Sequence, residues 1–183
     1  MKRVWMMGLA LLVVFFFSFQ GAGMAAPKNN DELTAEKAVK LAADWAAMKS
    51  LVQAGGHYKE GEYKTFTYKG TSYRFMAGDL DSTKELMTEL EKSLTKKAAR
   101  QYVNDSGFIR YKGKVAQVEA DGGSLLEWNK ATAKELNSFK HKKVFELHVP
   151  MAGMKEMDVF QVTYEYGKKS GWRLSELPVL VVK

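Results

Sequence analysis

The chain contains no cysteine, and only three histidines and three prolines occur among its 183 residues. Without thiols it has no disulfide framework, no thiolate nucleophile, no thiolate metal site and no cysteine for N-terminal lipid attachment. Its stability therefore rests on a hydrophobic core. His57, His141 and His148 form no pair at metal-ligand spacing such as H-E-x-x-H, and His148 falls in a strand pattern with Glu146 and Val144, as a surface or edge histidine does. No G-x-S-x-G elbow, P-loop or G-x-G-x-x-G fingerprint occurs, and nothing singles out a pair among the 21 acidic residues for acid and base roles. The expectation is a protein with no catalytic residue, no metal and no cofactor. Its basic residues are scattered and are not bundled with aromatics, which also argues against a nucleic-acid partner.

What is present is globular: 46% hydrophobic and 27% charged residues, in a length suited to one domain. Lys2 and Arg3 precede an apolar run over residues 4–19, and small residues follow to Ala25. This order predicts a secretory signal peptide over residues 1–25, cleaved after Ala25, because the run falls short of the roughly 20 residues that span a bilayer. The expected product, residues 26–183, is a single domain, secreted or wall-associated, with no stable membrane insertion. It carries 26 Lys and Arg against 21 Asp and Glu, a net charge of +5. A basic protein outside a cell meets the anionic polymers of the wall, so weak contact with them is expected.

Thr34 is placed to cap a helix over residues 35–52, in which Ala38, Leu41, Ala42, Trp45, Met48 and Val52 recur at intervals of three and four. Gly55 suits the left-handed position past its end, and Trp45 reads as a core anchor. Residues 63–68 and 71–76 read as a hairpin about Lys69-Gly70. Ser82 and Glu85 form a capping box for a second helix over residues 82–94, and Thr95 caps a third over residues 96–103. Strands are expected at 108–111, 114–119, 143–149, 158–166, 172–174 and 179–182, with residues 131–139 a polar stretch that has room for a helical turn. The fold class is α+β: three helices followed by, and packed on, about eight antiparallel strands.

The chain is organised around residues 115–128. Val115, Gln117 and Glu119 alternate with Ala116 and Val118 as a strand, after which Ala120, Asp121, Gly122, Gly123 and Ser124 offer no side chain large enough for a core. Leu125, Leu126, Glu127 and Trp128 resume apolar contact without a clean period, as a tight turn or short helix would. Asp121-Gly122 suits the centre of a two-residue hairpin turn. The alternative is a protruding contact loop whose acids, Glu119, Asp121 and Glu127, oppose the charge of the rest of the chain.

With that loop, V-E-A-D-G-G-S-L-L-E-W, and the opening helix L-T-A-E-K-A-V-K-L-A-A-D-W, the chain resembles the IseA (YoeB) family of inhibitors of bacterial cell-wall DL-endopeptidases. The resemblance covers about residues 30–183. It implies a mostly positive body with a negatively charged, mobile loop after the fourth strand, which blocks the active-site cleft of NlpC/P60-type hydrolases. Carried onto this chain, the loop is residues 120–124 with Asp121 at its tip and Gly122 and Gly123 on one side; Ala120, not glycine, precedes the acid. The rival expectation is an exported cystatin-like or NTF2-like module that binds a small ligand or wall polymer, its pocket lined by Tyr63, Phe66, Tyr68, Tyr73, Phe75, Tyr164 and Trp172.

Overall fold

The structure is a computed structural model that describes residues 32–120 and 123–181. The expected signal peptide, the short polar stretch at residues 27–31 that follows it, Asp121, Gly122 and Val182 lie outside the described residues.

Helix α1 (Ala35–Ala54) starts where the Thr34 hydroxyl accepts from Lys37 N–H at 3.3 Å, and ends at Gly55, whose φ of 92° is readily adopted without a side chain. It buries Ala38, Ala42, Trp45 and Val52, the stripe read from the sequence. Helix α2 (Thr83–Leu90) has the complete Ser82–Glu85 capping box and stops four residues before the expected end, since Leu94 turns away to bridge Leu174. Helix α3 (Lys96–Asp105) is capped by Thr95, with Ala98, Ala99 and Tyr102 facing inward.

Among the described residues nine strands form two antiparallel sheets, where about eight strands were expected. The small sheet has the order β1 (Thr65–Tyr68), β2 (Thr71–Phe75), β4 (Lys114–Val118), β3 (Ile109–Tyr111). The large sheet runs β5 (Thr132–Ser138), β6 (Lys142–Pro150), β7 (Met157–Gly167), β8 (Gly171–Leu174), with β9 (Val179–Leu180) also on β7. Strand β5 is the correction. Residues 131–139 read as a polar stretch with room for a helical turn, but Thr132–Ser138 pairs with β6 through its backbone as an exposed edge. Ala133 is its one half-buried side chain, so no alternation marked it.

Phe145, Leu147, Val149, Val162, Tyr164, Trp172 and Leu174 of the large sheet meet Trp45 and Val52 of α1 and Leu86, Leu90 and Leu94 in one core. The Tyr164 hydroxyl donates to Ala38 O at 2.7 Å, so the largest of the fully buried side chains leaves no unpaired polar atom and ties β7 to α1. The small sheet is fixed differently. Carbonyl groups in the last turn of a helix lack intrahelical donors. The carbonyl of Gln53 takes one from the Arg74 guanidinium and one from Gln117 Nε2, the latter at 3.1 Å. Both donors come from the small sheet, so the end of α1 is the peg on which that sheet hangs.

Candidate functional site

Strand β4 belongs to the small sheet and the next strand, β5, to the large one, so residues 119–131 cross between sheets. A two-residue hairpin at Asp121-Gly122 requires the flanking strands to pair with each other, and they do not. The segment is a connecting loop with separate anchors.

At its start, Glu119 N–H donates to Ser72 O at 3.0 Å, one last rung beyond β4. Its carboxylate accepts from the Tyr63 hydroxyl at 2.6 Å and from Ser72 Oγ at 2.7 Å. These two donors, Tyr63 first, hold the Glu119 carboxyl below its ordinary range against a small opposing effect of burial, and the Arg74 charge adds to them. The same hydrogen bond raises the Tyr63 phenol. Glu119 is thus a clasp, with both oxygens engaged within the molecule. The clasp was not legible, because its members lie 56 and 47 residues from Glu119 in the chain.

At its far end the loop is held by backbone and rings. Ser124 Oγ accepts from Leu126 N–H at 3.2 Å, Ala152 N–H donates to Leu125 O at 2.8 Å, and Glu127 N–H donates to Pro150 O at 2.8 Å. Leu126 also bridges Met151. Trp128 opens a short 3₁₀ turn, Trp128–Lys130, and lies 4.7 Å from the Phe160 ring. The turn-or-short-helix expectation is met here. Glu127 pairs with Lys130 at 2.7 Å, so of the three loop acids both Glu119 and Glu127 have intramolecular partners. Between the anchors, Ala120, Gly123 and Ser124 are exposed, and Leu125 presents more than half of its surface to solvent.

A groove of about 600 Å³ lies behind the loop. Ala43, Ala46, Ala47 and Ser50 of α1 form one wall, Gly123, Ser124, Leu126 and Trp128 another, and Phe160, Leu177 and Pro178 contribute to the rest. The small α1 residues keep it open, and Lys49 and Gln53 supply polar groups. The aromatic set proposed for a ligand pocket is not brought together. Tyr164 and Trp172 are in the main core, Phe66, Tyr68, Tyr73 and Phe75 share one face of the small sheet, and Tyr63 sits against Tyr58. The histidines are likewise apart: His57 contacts Asp79 at 2.7 Å, His148 contacts Glu146 at 2.9 Å, and His141 stacks on Tyr166.

An α+β body with a loop strung between two sheets now has a family to be compared with. The profile of the IseA DL-endopeptidase inhibitors matches residues 29–179. The chain belongs to the IseA DL-endopeptidase inhibitor family. Within it, the Bacillus subtilis (strain 168) protein YoeB, whose own description is "uncharacterized", is 28% identical over 117 residues. The match takes in 64% of this chain and 64% of YoeB, so it spans somewhat less than two thirds of that relative. The matched residues take in α1 to α3, β1 to β8 and the loop with its two anchors, and end at the first residue of β9.

Proposed function

We propose that this protein is a secreted inhibitor of peptidoglycan DL-endopeptidases of the NlpC/P60 type, and that residues 120–124 enter the hydrolase cleft with Asp121 as the electrostatic key. Family membership supplies the reaction that is blocked. The observation that carries the mechanism is the double anchorage of the loop, by the Glu119 clasp on the small sheet and by the ties of Leu125 and Glu127 to the large one. Fixing all five residues of the loop in a cleft would cost at most roughly 5 to 10 kcal/mol of backbone entropy, and anchorage at both ends lowers that cost. One carboxylate does not offset that, since a good charge pair contributes a few kcal/mol. The exposed Leu125 and the groove behind it are therefore assigned the apolar share of the contact. The proposal includes removal of residues 1–25, and mass spectrometry of the exported protein should find an N-terminus near Ala26.

The test is Asp121→Lys, which removes an attractive charge and adds a repulsive one. Inhibition of a purified DL-endopeptidase should weaken at least a hundredfold, about 3 kcal/mol, with circular dichroism unchanged. A folded variant that inhibits as well as the parent removes Asp121 from the mechanism. Release of peptides from peptidoglycan by the protein alone would remove the inhibitor reading itself.

A further inference from the structure

Two hairpins of the small sheet turn on the same three residues: Tyr68-Lys69-Gly70 joins β1 to β2, and Tyr111-Lys112-Gly113 joins β3 to β4. In each, the lysine adopts the left-handed conformation, with φ of 50° and 48°, and among the described residues no other non-glycine has positive φ. A side chain with a Cβ is disfavoured there, and asparagine or glycine is the ordinary choice for such a turn. Each ammonium lies 5.4 Å from the ring centroid of the tyrosine before it. Neither lysine takes part in an ion pair among the described residues.

The two turns belong to strands at opposite edges of the sheet. Neighbouring strands lie about 4.8 Å apart, so three such spacings separate β1 from β3. Nevertheless, Phe66 of β1 stacks on Tyr111 of β3 with centroids 4.3 Å apart and planes 11° from parallel, and the Tyr68 and Tyr111 centroids are 5.8 Å apart. The sheet is therefore curled about these rings. They are only partly covered, and none belongs to the main core. The result is a concave aromatic face with a lysine on each of two adjacent tyrosines.

We propose that this face, where the Tyr68 and Tyr111 rings lie side by side with Lys69 and Lys112 each on its own tyrosine, is a binding site for an anionic polysaccharide of the cell wall. Sugar rings present C–H faces that lie flat on aromatic rings, and phosphate or carboxylate groups along the polymer pair with the two ammonium groups. Charge complementarity selects a polyanion, since neither lysine has a carboxylate partner among the described residues and the exported chain carries net positive charge. Glu119 does not oppose it, because it follows Val118 onto the opposite face of β4, where Tyr63 and Ser72 engage it. A lysine kept twice in a conformation that disfavours it is backbone strain of the kind found at binding sites. The site rests on the export part of the functional reading and is separate from the loop.

The test is co-sedimentation of the exported protein with purified cell walls, before and after hydrofluoric acid removes their phosphate-linked polymers. Lys69→Asn/Lys112→Asn preserves both left-handed turns while removing both charges. It should bind intact walls at least tenfold more weakly, with unchanged melting temperature and unchanged inhibition of a DL-endopeptidase. Lys168→Asn/Lys169→Asn, an equal charge change in the β7–β8 turn, should bind as the parent does. Equal loss in that control, undiminished binding by the first variant, full binding to acid-treated walls, or preference for a single-stranded oligonucleotide would each overturn the proposal. A protein that binds the polymer but inhibits nothing leaves this site standing and removes the loop reading. The opposite result does the reverse.

Discussion

The two ends of the loop are held by different physics. At Glu119 the hydroxyl groups of Tyr63, two residues before β1, and of Ser72 in β2 close on one carboxylate, all of it near solvent. From Leu125 to Trp128 the hold is backbone hydrogen bonding to residues 150 and 152 and burial of an indole against Phe160. Exposed polar contacts contribute little to global stability and mainly set geometry, whereas ring burial contributes to stability directly. The downstream anchor is therefore part of the fold, and the upstream anchor is an adjustment made on top of it.

The comparison can be broken most severely at Trp128. Trp128→Ala should cost about 2 to 4 kcal/mol of stability, read as a lower urea midpoint, because the side chain is half-buried on Phe160 and packs on the core. An unchanged midpoint would mean that the indole only decorates the surface. Gln117→Ala tests the peg that carries the small sheet, and its loss should cost about 1 kcal/mol while leaving the Gln53 carbonyl with Arg74 alone. Hydrogen exchange should quicken in β2 and β4 and not in β6 and β7; uniform quickening would show that the two sheets open as one unit.

Tyr63→Phe is expected to have the smallest effect. Its melting temperature should match the parent's, while amide exchange at Glu119 and Ala120 quickens. Identical exchange there would remove the clasp from the account. pH sharpens the same point. Because the Glu119 carboxyl is lowered, the clasp is in place above the usual carboxylate range and is lost as pH falls through that lowered value. Because the Tyr63 phenol is raised, the same hydrogen bond is kept through the usual phenol range and lost only above it. Inhibition should thus be insensitive to this clasp near neutrality and decline on the acid side. In Glu119→Gln the part of that decline due to the clasp should vanish; an unaltered acid profile would assign it to another group.

Elements with local causes were legible in the sequence. Thr34, Gly55 and the stripe through Trp45 gave α1, Ser82 and Glu85 gave the start of α2, and the Lys-Gly turns gave both hairpins of the small sheet. Strand β5 was not legible, because an edge strand with a single half-buried side chain, Ala133, carries no period and owes its place to the backbone of β6. Division into two sheets was hidden for a related reason: alternation tells which residues share a face but not which strand lies alongside. The loop was recognised by what it lacks, large side chains and regular spacing, while its anchors at Ser72, Pro150 and Ala152 are long-range contacts that no local pattern announces.

That same β5 edge bears on solubility. A straight edge strand offers an unbroken row of donors and acceptors to any other chain, and a stray β-strand can extend the sheet along it. Here the register with β6 shifts between Glu135 and Asn137, so Leu136 is an extra residue in the ladder, and the shift follows the adjacent charges of Lys134 and Glu135. A bulge bends the strand and breaks the regular spacing of its free groups. Copies meeting edge to edge find no continuous register to share, which guards against polymerisation of the sheet on the side where Leu136 and Phe139 are exposed.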